Sequence, residues 1–470
     1  MLRGMVAPPL PDVVAAVLAG RDYRGLEHRR PEDGEQALVV PAVVLRDLVL
    51  GHYGPLPRPV ISLVGVLIDG DLDLSYCDWH GNLSLLRCRI RGSVNLAHAR
   101  VRGRVSLSGS SVRRIDVSNA TIDGPLLFVG GMATEGLFGL ALTTTGSLNL
   151  GQATVVAPVD KPNSCAVELY RAKLGDLFLG DATLRGGLYG NGMTVERNVR
   201  LQGLQACSRR SLGLEAAGDT ADGQSVSLTG ARIGGAIYCR WAEPDRQPMR
   251  LEGGLFLTRA SCASLHVRAR DLDGVDVWLD GFTFGRLLMI APEEWLALIE
   301  RASPESNQPY VFYAAHCEAY GMTRLRRAVL VAMHDRTREG LRRWSVDRAL
   351  WSAWRVVVRY GYSSAWAIGW LVVAVALCAA VLALAGGFLV HDPVGSAPAA
   401  RGIHETGDIV AFALDSVLPF AGLHAADAWS ARPDGAGQIV TMVVFVIVKL
   451  AGWGLAALGL ASVTGIAKRE

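Results

Sequence analysis

The sequence predicts a mostly β chain in which a right-handed quadrilateral β-helix leads into a helical neck and two transmembrane helices. Three observations carry that prediction. Glycine returns every eleven residues, at Gly70, Gly81, Gly92 and Gly103. Between those glycines apolar residues alternate with polar ones, which is the period of a strand. Two long apolar runs, 364–390 and 438–467, close the chain.

Composition sets the limits. The 470 residues are 50% hydrophobic and 19% charged, and most of the apolar excess lies beyond residue 360. A net charge of +3 is too small to argue for a nucleic-acid partner. Eight cysteines without a C-x-x-C pair suggest neither a disulfide framework nor a zinc site, and they fit a reducing compartment. The chain divides into an N-terminal helical cap (1–58), the β-helix (59–290), the neck (291–360), a first span (361–390), an extracytoplasmic loop with an interfacial or re-entrant helix (391–437), and a second span with a basic tail (438–470).

Asp12 precedes "VVAAVLA" as a helix cap, while Pro9 and Pro11 argue against a signal peptide. In the repeat, the second and fourth residues after each glycine are apolar: Leu72 and Leu74, Leu83 and Leu85, Val94 and Leu96, Val105 and Leu107. The seventh is small: Cys77, Cys88, Ala99, Ser110. Stacking successive coils buries the inward positions and bonds each backbone to neighbours about 4.8 Å above and below. Eleven divides into five and six, so each unit supplies two walls of a four-walled coil, and a full turn takes two units. Cys77 and Cys88 then fall on different walls. The three-walled, six-residue coil of the hexapeptide acyltransferases does not accommodate this period. Later units keep the pattern around irregular inserts near 130–145, 157–164 and 205–224.

Pro292 and the glutamates after it start a helix, and two helices broken at Gly321 follow, like one tetratricopeptide-type pair. The run 364–390 carries no charge, and 438–467 carries only Lys449. At 1.5 Å per residue each exceeds a hydrocarbon core of roughly 30 Å. Ten arginines lie between Arg324 and Arg359, and Lys468 and Arg469 follow the second run. The segment 391–437 has only Arg401 and Arg432 against six acids. The positive-inside rule then predicts a two-pass protein of the bacterial plasma membrane with both termini in the cytoplasm. Tyr360, Tyr362 and Trp366 suit the interfacial belt. Lys449 sits mid-span, at a cost of about 2.5–3.5 kcal/mol on insertion scales. Asp415, in the apolar loop segment 407–429, is its expected partner, within a subunit or across an oligomer.

"GWGLAA" (452–457) matches a dinucleotide fingerprint in its letters, but no strand precedes it, and its small residues suit close helix packing instead. There is no G-x-S-x-G elbow, Walker loop or H-E-x-x-H. No catalytic, cofactor-binding or metal-ligating residue is therefore assigned. Arg87, Arg89, Arg91, Arg100, Arg102 and Arg104 form a basic set on the stack. By default they are a solvated wall; in the sharper reading they meet anionic lipid or a protein partner.

Several stretches carry a resemblance: the eleven-residue units, "LDGFTFGRL" (279–287), "QPYVFYAAHCEAYG" (308–321), "RYGYSSAW" (359–366), "ALDSVLPFAGLHAADAW" (413–429) and "GWGLAALGLASVTGIAKR" (452–469). Together the chain resembles a family of bacterial membrane-anchored, pentapeptide-repeat-like proteins often labelled membrane-associated oxidoreductase. The resemblance implies the coil and the membrane anchor; its label implies an oxidoreductase, with no active site to carry over. The functional expectation is a non-catalytic docking or sensing module without a cofactor. It would be bound to the lipid bilayer, homo-oligomeric through its spans, and would carry a cytoplasmic protein partner on the coil. The alternatives are the labelled oxidoreductase and an oligomeric two-span channel or effector.

Overall fold

The computed structural model describes residues 12–464 apart from 27–28, 33–37, 160–163, 214–222, 242, 244–245, 303–305, 343, 349–350, 353–354, 356–363, 386–388, 392–402, 404, 419–428 and 432–434. It separates into two compact units, Met1–Phe312 and Tyr313–Glu470.

The first unit is built from coils laid one on another. Leu72, Val94, Ile115 and Leu137 lie in parallel register on successive strands of one sheet. Ile61, Leu83, Val105, Leu126 and Leu148 do so on another. Each step takes two of the eleven-residue units, give or take one residue. Parallel strands need a long crossover, and here the remainder of the coil supplies it. All nine of these side chains are 2% exposed or less, each contributing about 1.5–3 kcal/mol by leaving water.

The architecture departs from the expected quadrilateral β-helix with two transmembrane helices. The strands form three parallel sheets, of 15, 9 and 9 strands, where four separate walls were expected. The strands Thr143–Asn149, Lys173–Phe178 and Arg232–Tyr238 run through a corner unbroken and fuse two walls into one sheet. Glycine permits the close approach at these corners, as it does at Gly81 and Gly92, where a Cβ would lie 2.1 Å and 2.4 Å from a carbonyl oxygen. A Cβ on Gly146 would lie 2.5 Å from the Pro125 nitrogen, and one on Gly175 would lie 2.5 Å from the Gly146 carbonyl oxygen. The pairing shifts register between Thr144 and Ser147, and a residue without a side chain lets the strand bend at that irregularity. Helices also take up 32% of the described residues.

Among the described residues one helix, over Ala436–Gly454, is long and apolar enough to cross a membrane. In the helix Ser364–Ala385 the apolar stretch is Gly369–Leu384. The expected pair of spans is thus reduced to one candidate.

The N-terminal region does more than cap. Tyr23–Arg24 and Val39–Pro41 add parallel strands to two of the sheets, beside the helices Asp12–Leu18 and Ala42–Val49. At the other end, Trp295 of the helix Pro292–Arg301 packs edge-on against Phe284 at 5.4 Å, and Phe312 does the same at 5.1 Å.

In the second unit, Gly321 takes a positive φ of 70° before the helix Thr323–Gly340. The helices Ser364–Ala385, Thr406–Val417 and Ala436–Thr464 share a core that includes Cys378, Leu382, Phe412, Val417, Phe445 and Val448. A Cβ on Gly452 would lie 2.5 Å from Val417 Cγ1, so the small residue admits the shorter helix. A two-stranded antiparallel pair, Leu389–His391 with Trp429–Ala431, straddles the expected boundary at 390/391, with only His391 and the second strand inside the expected loop 391–437. Most of the rest of that loop, with Tyr360, Tyr362, Lys468 and Arg469, lies outside the described residues.

Candidate functional site

The coil period decides where the basic residues go. Positions eleven apart are half a coil apart, so the six arginines divide between two sheets. Arg89 aligns with Leu67 and Ser111 in one sheet. Arg100 aligns with Asp78 and Thr121 in another. Arg102 and Arg104 follow Arg100 on its side, where their amides donate to the Trp79 carbonyl and to Asn82 Oδ1. Arg87 sits at a corner with a left-handed backbone (φ 50°).

Arg89 and Arg91 line a groove of about 790 Å³. One coil further on, Arg113 lines it too, and Arg29 and Arg30 of the N-terminal segment form the opposite flank. Glu32 and Glu135 are its two carboxylates, so arginines outnumber acids five to two. The guanidiniums are held in place at their margins. Arg91 Nη1 meets Asp69 Oδ1 at 3.1 Å, and Arg113 meets Asp71 at 3.7 Å and Glu135 at 3.9 Å. Arg29 meets Glu32 at 3.5 Å. Arg30 Nη2 lies 4.0 Å from the Met132 sulfur on the groove floor. Pairs this exposed stabilise the fold by about 0–1 kcal/mol each. They also orient the guanidiniums, and with Asp69 and Asp71 at the margin four carboxylates stand against the five arginines.

Arg113 was legible as Arg91 displaced by one coil, had the stripe been read at twenty-two residues instead of two. Arg29 and Arg30 carry no periodic signal; only the folded chain brings them to the wall.

Lys449 and Asp415 lie on the packed helices of the second unit. The Lys449 ammonium stands 5.5 Å from the centre of the Trp453 ring, a cation–π geometry. The same indole donates to the carbonyl of Ser416, the neighbour of Asp415, at 2.9 Å. The indole therefore links the two helices that the sequence expected a Lys449–Asp415 pair to link.

Burial disarms the thiols of the first unit. It pushes Cys77 and Cys88 up to about 11 and Cys239 and Cys262 up to about 12, so at neutral pH they stay protonated and poorly nucleophilic. Burial also lowers the pKa of His266, His316 and His334. Among the described residues no three His, Cys, Asp or Glu side chains converge as a metal site. Set against known protein families, characterised proteins and solved structures, the chain matches none.

Proposed function

We propose that the protein is a membrane-associated docking module, in which the coil presents the arginine groove to an acidic segment of a partner protein. The observation that carries this reading is the groove: five arginines against two glutamates, with Arg89, Arg91 and Arg113 mounted on a backbone ladder that has little freedom to rearrange. A rigid, charged surface binds with little ordering cost on its own side. The helix Ala436–Gly454 supplies attachment to a bilayer. Its outward valines and isoleucines suit lipid or a second copy of the same helix. The arginine-rich stretch 324–359 then faces the anionic cytoplasmic leaflet of a bacterial plasma membrane.

The test is binding of a fluorescent oligoglutamate peptide to the detergent-solubilised full chain, followed by anisotropy. Replacing Arg89 and Arg113 together by glutamate is expected to weaken binding at least tenfold and to flatten its dependence on salt, with the urea midpoint unchanged. Equal affinity for the wild type and the double variant would remove the groove from the reading.

A further inference from the structure

Two tryptophans seven residues apart are treated oppositely. Trp351 packs against His334, with ring centroids 5.4 Å apart. Trp344 is 92% exposed, and Val346 beside it is 75% exposed. Trp344 is held out by a hydrogen-bonded turn. The Ser345 amide donates to the Arg342 carbonyl at 3.0 Å. The Arg348 amide donates to Ser345 Oγ at 3.1 Å, and Arg348 Nη1 turns back to the Leu341 carbonyl at 3.1 Å. An indole and a valine held out side by side make an apolar point suited to a non-aqueous surface.

The charge around it says which surface. Residues 323–348 carry eight arginines against three carboxylates. Some of these arginines serve the fold: Arg326 pairs with Glu318, and Arg338 with Asp335 and Glu339. Arg324, Arg327 and Arg342 are exposed. Tryptophan with arginine is the composition of the membrane–water interface, where the ring sits at headgroup level and guanidiniums meet lipid phosphates.

We propose that the turn around Trp344 is an interfacial anchor that docks the second unit on an anionic bilayer surface. Trp344 and Val346 enter the headgroup layer, while Arg342 beside them meets the phosphates. This rests on the membrane association in the proposed function but not on its groove. It shares the bilayer with the Ala436–Gly454 helix but uses a separate contact.

The experiment places the full chain in nanodiscs of phosphatidylcholine alone, or with phosphatidylglycerol added. Trypsin cleavage after Arg342 is followed by mass spectrometry. The anchor predicts cleavage at least tenfold slower in the anionic discs than in the neutral ones. Trp344→Ser with Val346→Ser should restore rapid cleavage. Equal rates in the two discs, or a double variant protected like the wild type, would overturn the anchor and leave Trp344 as a contact for another protein. A chain that fails to enter discs counts against the helix, not the anchor. Its co-sedimentation with preformed phosphatidylglycerol vesicles then decides: retention of wild type and loss of the double variant support the anchor, and no retention overturns it.

Discussion

Leucine and valine do opposite work in the two units. Leu148, Leu177 and Val199 of the coils are wholly buried. On the helix Ala436–Thr464, Val443, Ile447 and Leu450 are 53%, 60% and 62% exposed, and only 11% of the apolar window is buried. The side chains are the same kind; the surroundings differ. A coil closes on itself, and its neighbours above and below complete an apolar interior. A helix that packs one stripe against two partners keeps the remaining faces outward and needs lipid or another protein to cover them.

The widest break in that contrast should come from a carboxylate in each setting. Leu148→Asp puts an unpaired acid among aliphatic side chains and should destabilise the coils by more than about 4 kcal/mol, read in urea melts by circular dichroism. Ile447→Asp should leave the same melt nearly unchanged yet release the protein from membranes washed with carbonate. A variant still retained after the wash would show that the helix is not the attachment.

Within the coils, glycine positions should separate by what surrounds them. Gly175→Ala meets the Gly146 carbonyl oxygen at 2.5 Å and should cost about 2–3 kcal/mol, in the range for overpacking. Gly130→Ala meets nothing within 4 Å but has a φ of 63°, so its cost should be nearer 1 kcal/mol. Equal midpoints for the two would mean that the corner yields more than its contacts suggest.

Ser110→Ala tests a single buried hydroxyl. Ser110 Oγ accepts from the Cys88 amide and donates to the Leu85 carbonyl, both at 2.8 Å. Leaving the amide unpaired should cost about 1–3 kcal/mol, while Ser106→Ala should cost less, because its described hydrogen bond is to the Ser108 hydroxyl.

The smallest effect concerns pH. Thiols raised from 9.0 to about 11 or 12 in the folded chain hold their protons where the unfolded chain releases them. Their contribution is complete below pH 9 and is lost as pH climbs toward 11 to 12. The melting temperature should therefore fall progressively above pH 9, and Cys88→Ala should lessen the fall.

Much of the coil was legible because its signal is local. Leu72, Val94 and Val105 alternate with polar neighbours, and that alternation alone separates inward from outward. The fusion of walls was not legible. Gly146 and Gly175 look like Gly81 and Gly92 in sequence, yet the former sit inside continuous strands, where the pairing shifts register between Thr144 and Ser147. The basic groove was half legible. Arg89 and Arg91 were named from spacing, but grouping them with Arg100, Arg102 and Arg104 joined residues that the coil separates.

By itself the sequence determined which side chains face inward, that the repeat counts in elevens, and that a long apolar helix ends the chain, since each follows from residues a few positions apart. Tertiary structure decided how many sheets the coils share, which arginines meet across the groove, and that Trp453 sits between Lys449 and the Asp415 helix. Those outcomes depend on pairings between residues tens of positions apart, and such pairings arise only when the backbone ladder and helix packing bring the partners within a few ångströms.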